Sequence, residues 1–156
     1  NPERFVTGIA GKCDFSIVTV SKKGLSGAVG TLRAILEVFE NNSIPVAHTP
    51  SGIDCISLAM PTEALTPNQY SLLDELRSEI RPDSIQINDH IAVIAVVGRK
   101  MAFRVGTSGK IFAALGKAGI NIRMITQGPE ELNIIVGVDG SDFERAIRVL
   151  YDSFVK

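Results

Sequence analysis

The chain is poor in the residues that usually betray chemistry. It has no tryptophan, two histidines, two cysteines and two tyrosines among 156 residues. Cys13 and Cys55 show no CxxC spacing, which excludes a zinc ribbon or a redox pair, and at this length a disulfide scaffold is not expected. Both read as small buried hydrophobes, and a reducing cytoplasm is the expected location. His48 and His90 form no HxxxH or Cys/His cluster, so no metal site is expected, and neither has a Ser or Cys partner at a known spacing. Charge of one sign is also missing. The 16 basic and 17 acidic residues leave a net charge of -1, with no run of Lys and Arg. Nucleic acid and anionic membrane are therefore not expected partners, because both require concentrated positive charge. The longest apolar run, Ile91 to Val97, is far too short to span a bilayer, and no signal-peptide pattern opens the chain. An initiator Met is absent and the chain begins Asn1-Pro2, so it reads as a piece of a longer protein.

What is present is a repeat. Shifted on itself by 76 positions, Val29-Gly30-Thr31 falls on Val105-Gly106-Thr107, and Phe15 to Val20 falls on Ile91 to Val96. Ile35 and Leu36 meet Ile111 and Phe112, Ile44 and Val46 meet Ile120 and Ile122, and Gly52 meets Gly128. No gap is needed from residue 15 to about residue 60. With 45 % hydrophobic and 21 % charged residues, the composition is that of a folded globular chain, long enough for two small domains.

Each copy opens with a β-branched run expected to be a buried strand, Phe15 to Val20 and Ile91 to Val97. A Gly-containing loop leads to a helix with an apolar stripe, Leu32, Ile35, Leu36 and Phe39 in copy one, and Ile111, Phe112 and Leu115 in copy two. Turn residues end each helix, Asn41-Asn42-Ser43 and Ala118-Gly119. Two strands follow in each copy, at Val46 to Thr49 and Cys55 to Met60, then at Ile120 to Thr126 and Leu132 to Val138. A second helix is expected at Asn68 to Ile80, opened by Thr66-Pro67, and another at Ser141 to Val155, with Ser141 and Glu144 as a capping box. Copy one gains a last strand at Ser84 to Ile87. Copy two has no such strand, while Phe5 to Ile9 precedes copy one unassigned. An unpaired sheet edge is repaired if Phe5 to Ile9 completes copy two, with copy one inserted within it. The fold class is α+β, with two ferredoxin-like βαββαβ units whose helices cover one face of an antiparallel sheet. The expected domains are 13–88 and 4–12 plus 89–156.

Catalytic patterns are wanting. Gly106-Thr-Ser-Gly-Lys-Ile111 lacks the first Gly and the final hydroxyl of a phosphate loop, so Mg²⁺ would have no ligand there. Asp74, Glu75 and Glu79 oppose Leu72, Leu73 and Leu76 on one helix and read as a solvated face. Binding is better represented. Helix N-termini suit a small carboxylate, and Gly27, Gly30, Gly106 and Gly109 permit close approach of backbone to ligand. Lys22, Lys23, Arg99, Lys100 and Arg104 lie near these loops. In Thr49-Pro-Ser-Gly-Ile-Asp54, Ser51 and Asp54 could receive an ammonium group, with His48 adding a donor; the alternative is a tight turn with a solvated Asp.

Three segments resemble the aspartate kinase family. Gly119-Ile-Asn-Ile-Arg-Met-Ile-Thr-Gln-Gly128 is similar to its GINIRMISQG segment. His48-Thr-Pro-Ser-Gly-Ile-Asp54 resembles the EHxPSGID segment of one branch, and Val6-Thr-Gly-Ile-Ala-Gly11 resembles the strand joining kinase domain to regulatory region. The resemblance covers essentially the whole chain. It implies two ACT domains, the first inserted into the second, that bind an end-product amino acid, lysine or threonine foremost, and pair as a homodimer. It implies a kinase domain of the same chain, carrying ATP and Mg, that phosphorylates the aspartate side chain on the route to lysine, threonine and methionine; the KFGG segment and other kinase motifs are not in this sequence. No cofactor is expected in this segment. The resemblance carries effector contacts to Leu25, Ser26, Gly27, Val29, Gly30, Thr31, Val46, His48, Ser51 and Asp54. A second effector site is expected at Met101, Val105, Gly106, Asn121 and Gln127. Family members often have Asp or Glu where Ala47 stands. Ala47 cannot pair with an ammonium group, so Asp54 or backbone carbonyls substitute, or the response is altered; a dimerisation module with vestigial sites is the alternative function.

Overall fold

The computed structural model describes residues 6–27, 30–98, 106–126 and 133–154. Two compact units partition the chain, 14–89 and 1–13 plus 90–156. Two strands run through both sets of residues: β1 (Val6–Ser21) and β3 (Ser84–Gly98). The sequence patterning predicts each as two separate strands. Continuity is possible because one residue in each, Asp14 (φ 62°) and His90 (φ 59°), takes the left-handed conformation that Asp, Asn and His tolerate better than most side chains. The two are equivalent under the repeat. Phe5, expected at the start of β1, lies outside the described residues.

In the unit 14–89, β1 pairs antiparallel with β2 (Cys55–Pro61), from Phe15 opposite Pro61 to Ser21 opposite Cys55. The expected strand Val46 to Thr49 is reduced to two isolated bridges, His48 with Ala59 and Ser51 with Ile56. Pro45 and Pro50 bring no N–H, so a regular ladder cannot form there. Helices α1 (Thr31–Asn41) and α3 (Gln69–Glu79) pack with Val18, Val20, Ile56, Leu58 and Met60. The buried stripe of α1 is Ile35, Val38 and Phe39. Leu32 and Leu36, expected in the core, are 51 % and 37 % exposed. Short helix α2 (Thr62–Leu65) and a 3-10 turn precede α3. Thr66 does not cap α3; its hydroxyl donates back to the Thr62 carbonyl at 2.9 Å.

The acidic residues of α3 divide. Asp74 and Glu79 are exposed, but Glu75 accepts hydrogen bonds from Asn41 Nδ2 (3.0 Å) and Asn42 Nδ2 (2.6 Å). Ser71 donates to Asn42 Oδ1 at 2.6 Å, and buried Asn42 also donates to the Val38 carbonyl. Glu75 is thus a clamp between α3 and the C-terminal end of α1, not a solvated charge. On β1, buried Ser16 donates to Asp89 Oδ1 (2.6 Å) and shares a hydrogen bond with Thr62 Oγ1 (2.8 Å).

In the other unit, β3 pairs antiparallel with β5 (Asn133–Asp139), which pairs with β4 (Ile122–Thr126). Helices α4 (Thr107–Lys117) and α5 (Phe143–Phe154) supply Ile111, Leu115, Ala146 and Leu150 to a core with Val6, Ile94, Val96, Ile134, Val136 and Val138. Each fully buried Leu or Ile contributes roughly 1.5–3 kcal/mol. Lys110 sits 4.8 Å above the Phe154 ring, tying α4 to α5. Ser141 is inside a 3-10 turn, Gly140–Asp142, so the expected capping box is not formed. The strand expected from Leu132 begins at Asn133 among the described residues.

Gly11 on β1 lies against the Phe143 ring and 3.3 Å, at its missing Cβ position, from the Val93 carbonyl. Gly11→Val should therefore destabilise the fold by about 1–3 kcal/mol in urea unfolding, since the ring and the backbone must both move. Asn42→Ala removes three hydrogen-bond partners at once and should cost about 1–3 kcal/mol by the same measurement; an unchanged midpoint would show that the clamp is solvated.

Candidate functional site

The expected effector residues of the first unit fall on two segments, the β1–α1 connection and the stretch before β2. Gly30 is the residue that turns the connection into the helix. It sits at the N-cap of α1 with φ 83°, and nothing lies within 4 Å of where its Cβ would be. Backbone conformation, not space, demands glycine here. Gly106 holds the equivalent place before α4, with φ 87°. Gly30 and Gly106 offer no side-chain cap, so among the described residues the N–H groups of Thr31, Leu32 and Arg33 at the start of α1 are left for water or a ligand.

Leu25 and Gly27 lie in a 3-10 turn after β1, and Leu25 packs on the core of its unit, as does Val46. The side chain of Ser26, and Val29 entirely, lie outside the described residues. The two segments meet at Asp54. Its carbonyl accepts the Lys22 N–H at 2.9 Å, and its Oδ1 accepts the Gly24 N–H at 3.0 Å. The expectation that Asp54 is a free receptor for ammonium is thus modified, because one carboxylate oxygen already holds the loop. Lys22 is committed as well, its Nζ donating to the Ile80 carbonyl beyond α3. Ser51 is exposed, and Gly52 closes a tight turn with its N–H on the Cys55 carbonyl at 2.8 Å.

His48 is half-buried, and burial holds its imidazole below the ordinary value of 6.5. Its neighbour Ala47 is exposed, with its N–H on the Ala59 carbonyl. An open groove of about 720 Å³ runs along the outer side of α1, lined by Gly30, Leu32, Arg33, Leu36, Glu37, Glu40 and Asn41. It shares only Gly30 with the expected effector set.

For the second site the picture is partial. Gly106 is described as above, and Asn121 is exposed just before β4. Met101, Val105 and Gln127, like Arg99, Lys100 and Arg104, lie outside the described residues. Asp83 and Gly24 lie outside the expected effector set, yet Asp83 Oδ2 accepts the Lys23 N–H at 2.7 Å. The pair Pro82-Asp83 entering a strand is the signal that could have found it.

Residues 94–154 match the ACT domain family. Over 150 residues the chain is 30 % identical to aspartokinase 3 of Bacillus subtilis, spanning 96 % of this chain and 33 % of that one. The similarity to aspartokinases thus runs over nearly the whole of this chain, and the ACT domain match over its C-terminal part. Its fold agrees. The aspartate kinase of Clostridium acetobutylicum superposes with a TM-score of 0.91 at 41 % identity, over 96 % of this chain and 34 % of that one. E. coli aspartokinase III, crystallised with lysine and aspartate in its T-state, gives 0.82 at 21 % identity over 97 % of this chain and 34 % of that one. This ACT-containing chain therefore spans about a third of the length of these relatives.

The burial of His48 has a consequence for stability. The folded imidazole resists protonation, while the unfolded chain takes the proton near 6.5. This contribution is fully present above that pH and is lost as pH falls through it. The melting temperature should begin to drop as pH falls through about 6.5, and His48→Gln should drop less; parallel curves would show that His48 is solvated.

Proposed function

We propose that this chain is the amino-acid-sensing region of an aspartate kinase, built of two ACT domains, residues 13–88 and residues 4–12 plus 89–156, with the first inserted into the second. The partition of the chain into 14–89 and 1–13 plus 90–156 supports the boundaries. The repeat supports two copies of one fold. Equivalent residues share left-handed backbone at Asp14 and His90, Gly30 and Gly106, and Ser43 and Gly119.

The observation that carries the sensing role is the uncapped N-terminus of α1 behind Gly30, beside the Asp54-held loop. Free N–H groups there suit the carboxylate of an amino acid, and Thr31, Val46, His48 and Ser51 are the further contacts in this proposal. The effector is an end product, lysine or threonine; lysine comes first because a relative with the same fold was crystallised with it. In the whole enzyme a kinase domain with ATP and Mg would phosphorylate the aspartate carboxylate in the cytoplasm. The effector regulates it by binding one state better than the other, since equal affinity shifts nothing.

A second reading, a dimerisation module with vestigial sites, draws on the outer face of α1. Leu32 and Leu36 stand exposed there, with Arg33 about one turn from Glu37 and about two turns from Glu40. Two such faces packed antiparallel would cover the leucines and set Arg33 of one copy against the acidic residues of the other. Ala47, which offers no charge to an ammonium group, favours this reading.

Thermal shift with lysine, threonine and methionine separates the two. At about 100 times its dissociation constant, an effector should add roughly 2.7 kcal/mol of stability, and Gly30→Val should remove the shift. A folded dimer that responds to none of the three would support assembly as the role.

A further inference from the structure

We infer that Asp54 serves the effector site as a positioning residue, latching the β1–α1 loop in place, and does not itself pair with the ligand's ammonium group. The inference rests on the sensing role proposed above. Its geometry stands independently. The loop that leaves β1 is held from two sides by carboxylates that enter from neighbouring strands. Asp54, just before β2, accepts the Gly24 N–H on Oδ1 and the Lys22 N–H on its carbonyl. Asp83, just before β3, accepts the Lys23 N–H on Oδ2, and its own N–H reaches the Ser21 carbonyl at 2.8 Å.

Three successive N–H groups, of Lys22, Lys23 and Gly24, are thereby satisfied by two aspartates. None of these bonds belongs to a helix or a regular ladder, so the loop would lose its path without them. Gly24 has φ 80°, which fits the loop's sharp reversal and needs a firm partner to persist in one state. The loop then closes on itself, with Leu25 N–H on the Lys22 carbonyl and Gly27 N–H on the Gly24 carbonyl. A ligand at the start of α1 would meet residues 25–27 as the wall of its site. Asp54 decides where that wall stands, through hydrogen bonding to a backbone amide.

A latch needs an acceptor oxygen, whereas an ion pair needs a charge, and the two requirements are separable. Asp54→Asn keeps the oxygen and loses the charge; Asp54→Ala loses both. Lysine and threonine binding should be titrated calorimetrically on this chain and both variants, with amide hydrogen exchange followed across residues 22–27. Asp54→Asn should bind within about threefold of the parent chain, because only the charge assistance of one hydrogen bond is lost. Asp54→Ala should bind about tenfold more weakly, and its loop amides should exchange about tenfold faster. Binding abolished equally in both variants, with exchange unchanged, would overturn the inference and make Asp54 a ligand contact. If the parent chain binds neither amino acid, the sensing role fails, and exchange still decides: equal protection of residues 22–27 in all three proteins would show that no latch exists. Melting curves of the variants establish that each is folded, and Asp83→Asn, whose carboxylate accepts the Lys23 N–H, gives the background of a neighbouring acceptor change.

Discussion

The constraint on which the structure depends is that the buried N–H and C=O groups of β1 and β3 must be paired along strands long enough to serve two cores. Strands of this length normally carry a strictly alternating pattern, one face in and one face out. Asp14 in β1 and His90 in β3 interrupt the alternation with one left-handed residue apiece. On one side of Asp14 lie Val18 and Val20, in the core with α1 and α3; on the other lies Val6, in the core with α4 and α5. Both units inherit their strand neighbours from this arrangement, and the helices follow because each sheet has an apolar face to cover.

Within each unit the entry to the first helix is the next constraint. A chain leaving a strand must reverse sharply to lay its helix on the sheet, and Gly30 and Gly106 accomplish it with nearly the same φ. Because no side chain caps these helices, the same turn that shapes the fold leaves polar backbone groups available. Structure and binding capacity thus arise from one local feature. In the first unit this turn is supported by Asp54 and Asp83 on the loop, and by Glu75 with Asn42 at the far end of α1.

The proposed sensing role asks for a chain stable enough to fold and loose enough to respond. The cores are apolar and well buried, whereas the loop before α1 is held by a few polar bonds, each worth about 1 kcal/mol net. Such bonds are of the size at which a small ligand can shift a population. Surface ion pairs such as Arg123 with Asp139, both substantially exposed, add little to either role.

Much of this was legible in the residues. The repeat identifies two copies because glycines and apolar positions keep step, and turn positions at Asn42-Ser43 and Ala118-Gly119 coincide with the observed helix ends. Glycine before each helix is a local demand on φ, and local demands are written locally. Other features are decided only by what comes from far along the chain. Leu32 and Leu36 fit a helical stripe as well as Val38 does, and only packing on Leu58 and Leu72 selects which face of α1 is buried. Glu75 has the spacing of a solvated charge until Asn41 and Asn42 arrive from more than 30 residues away. Asp54 looks like a free carboxylate until Gly24 is brought to it. Sequence by itself determined the periodicity, the glycine turns and the family resemblance, because these depend on backbone conformation and near neighbours. Tertiary structure decided which polar groups are already bonded, because a hydrogen bond needs a partner whose position no local pattern records.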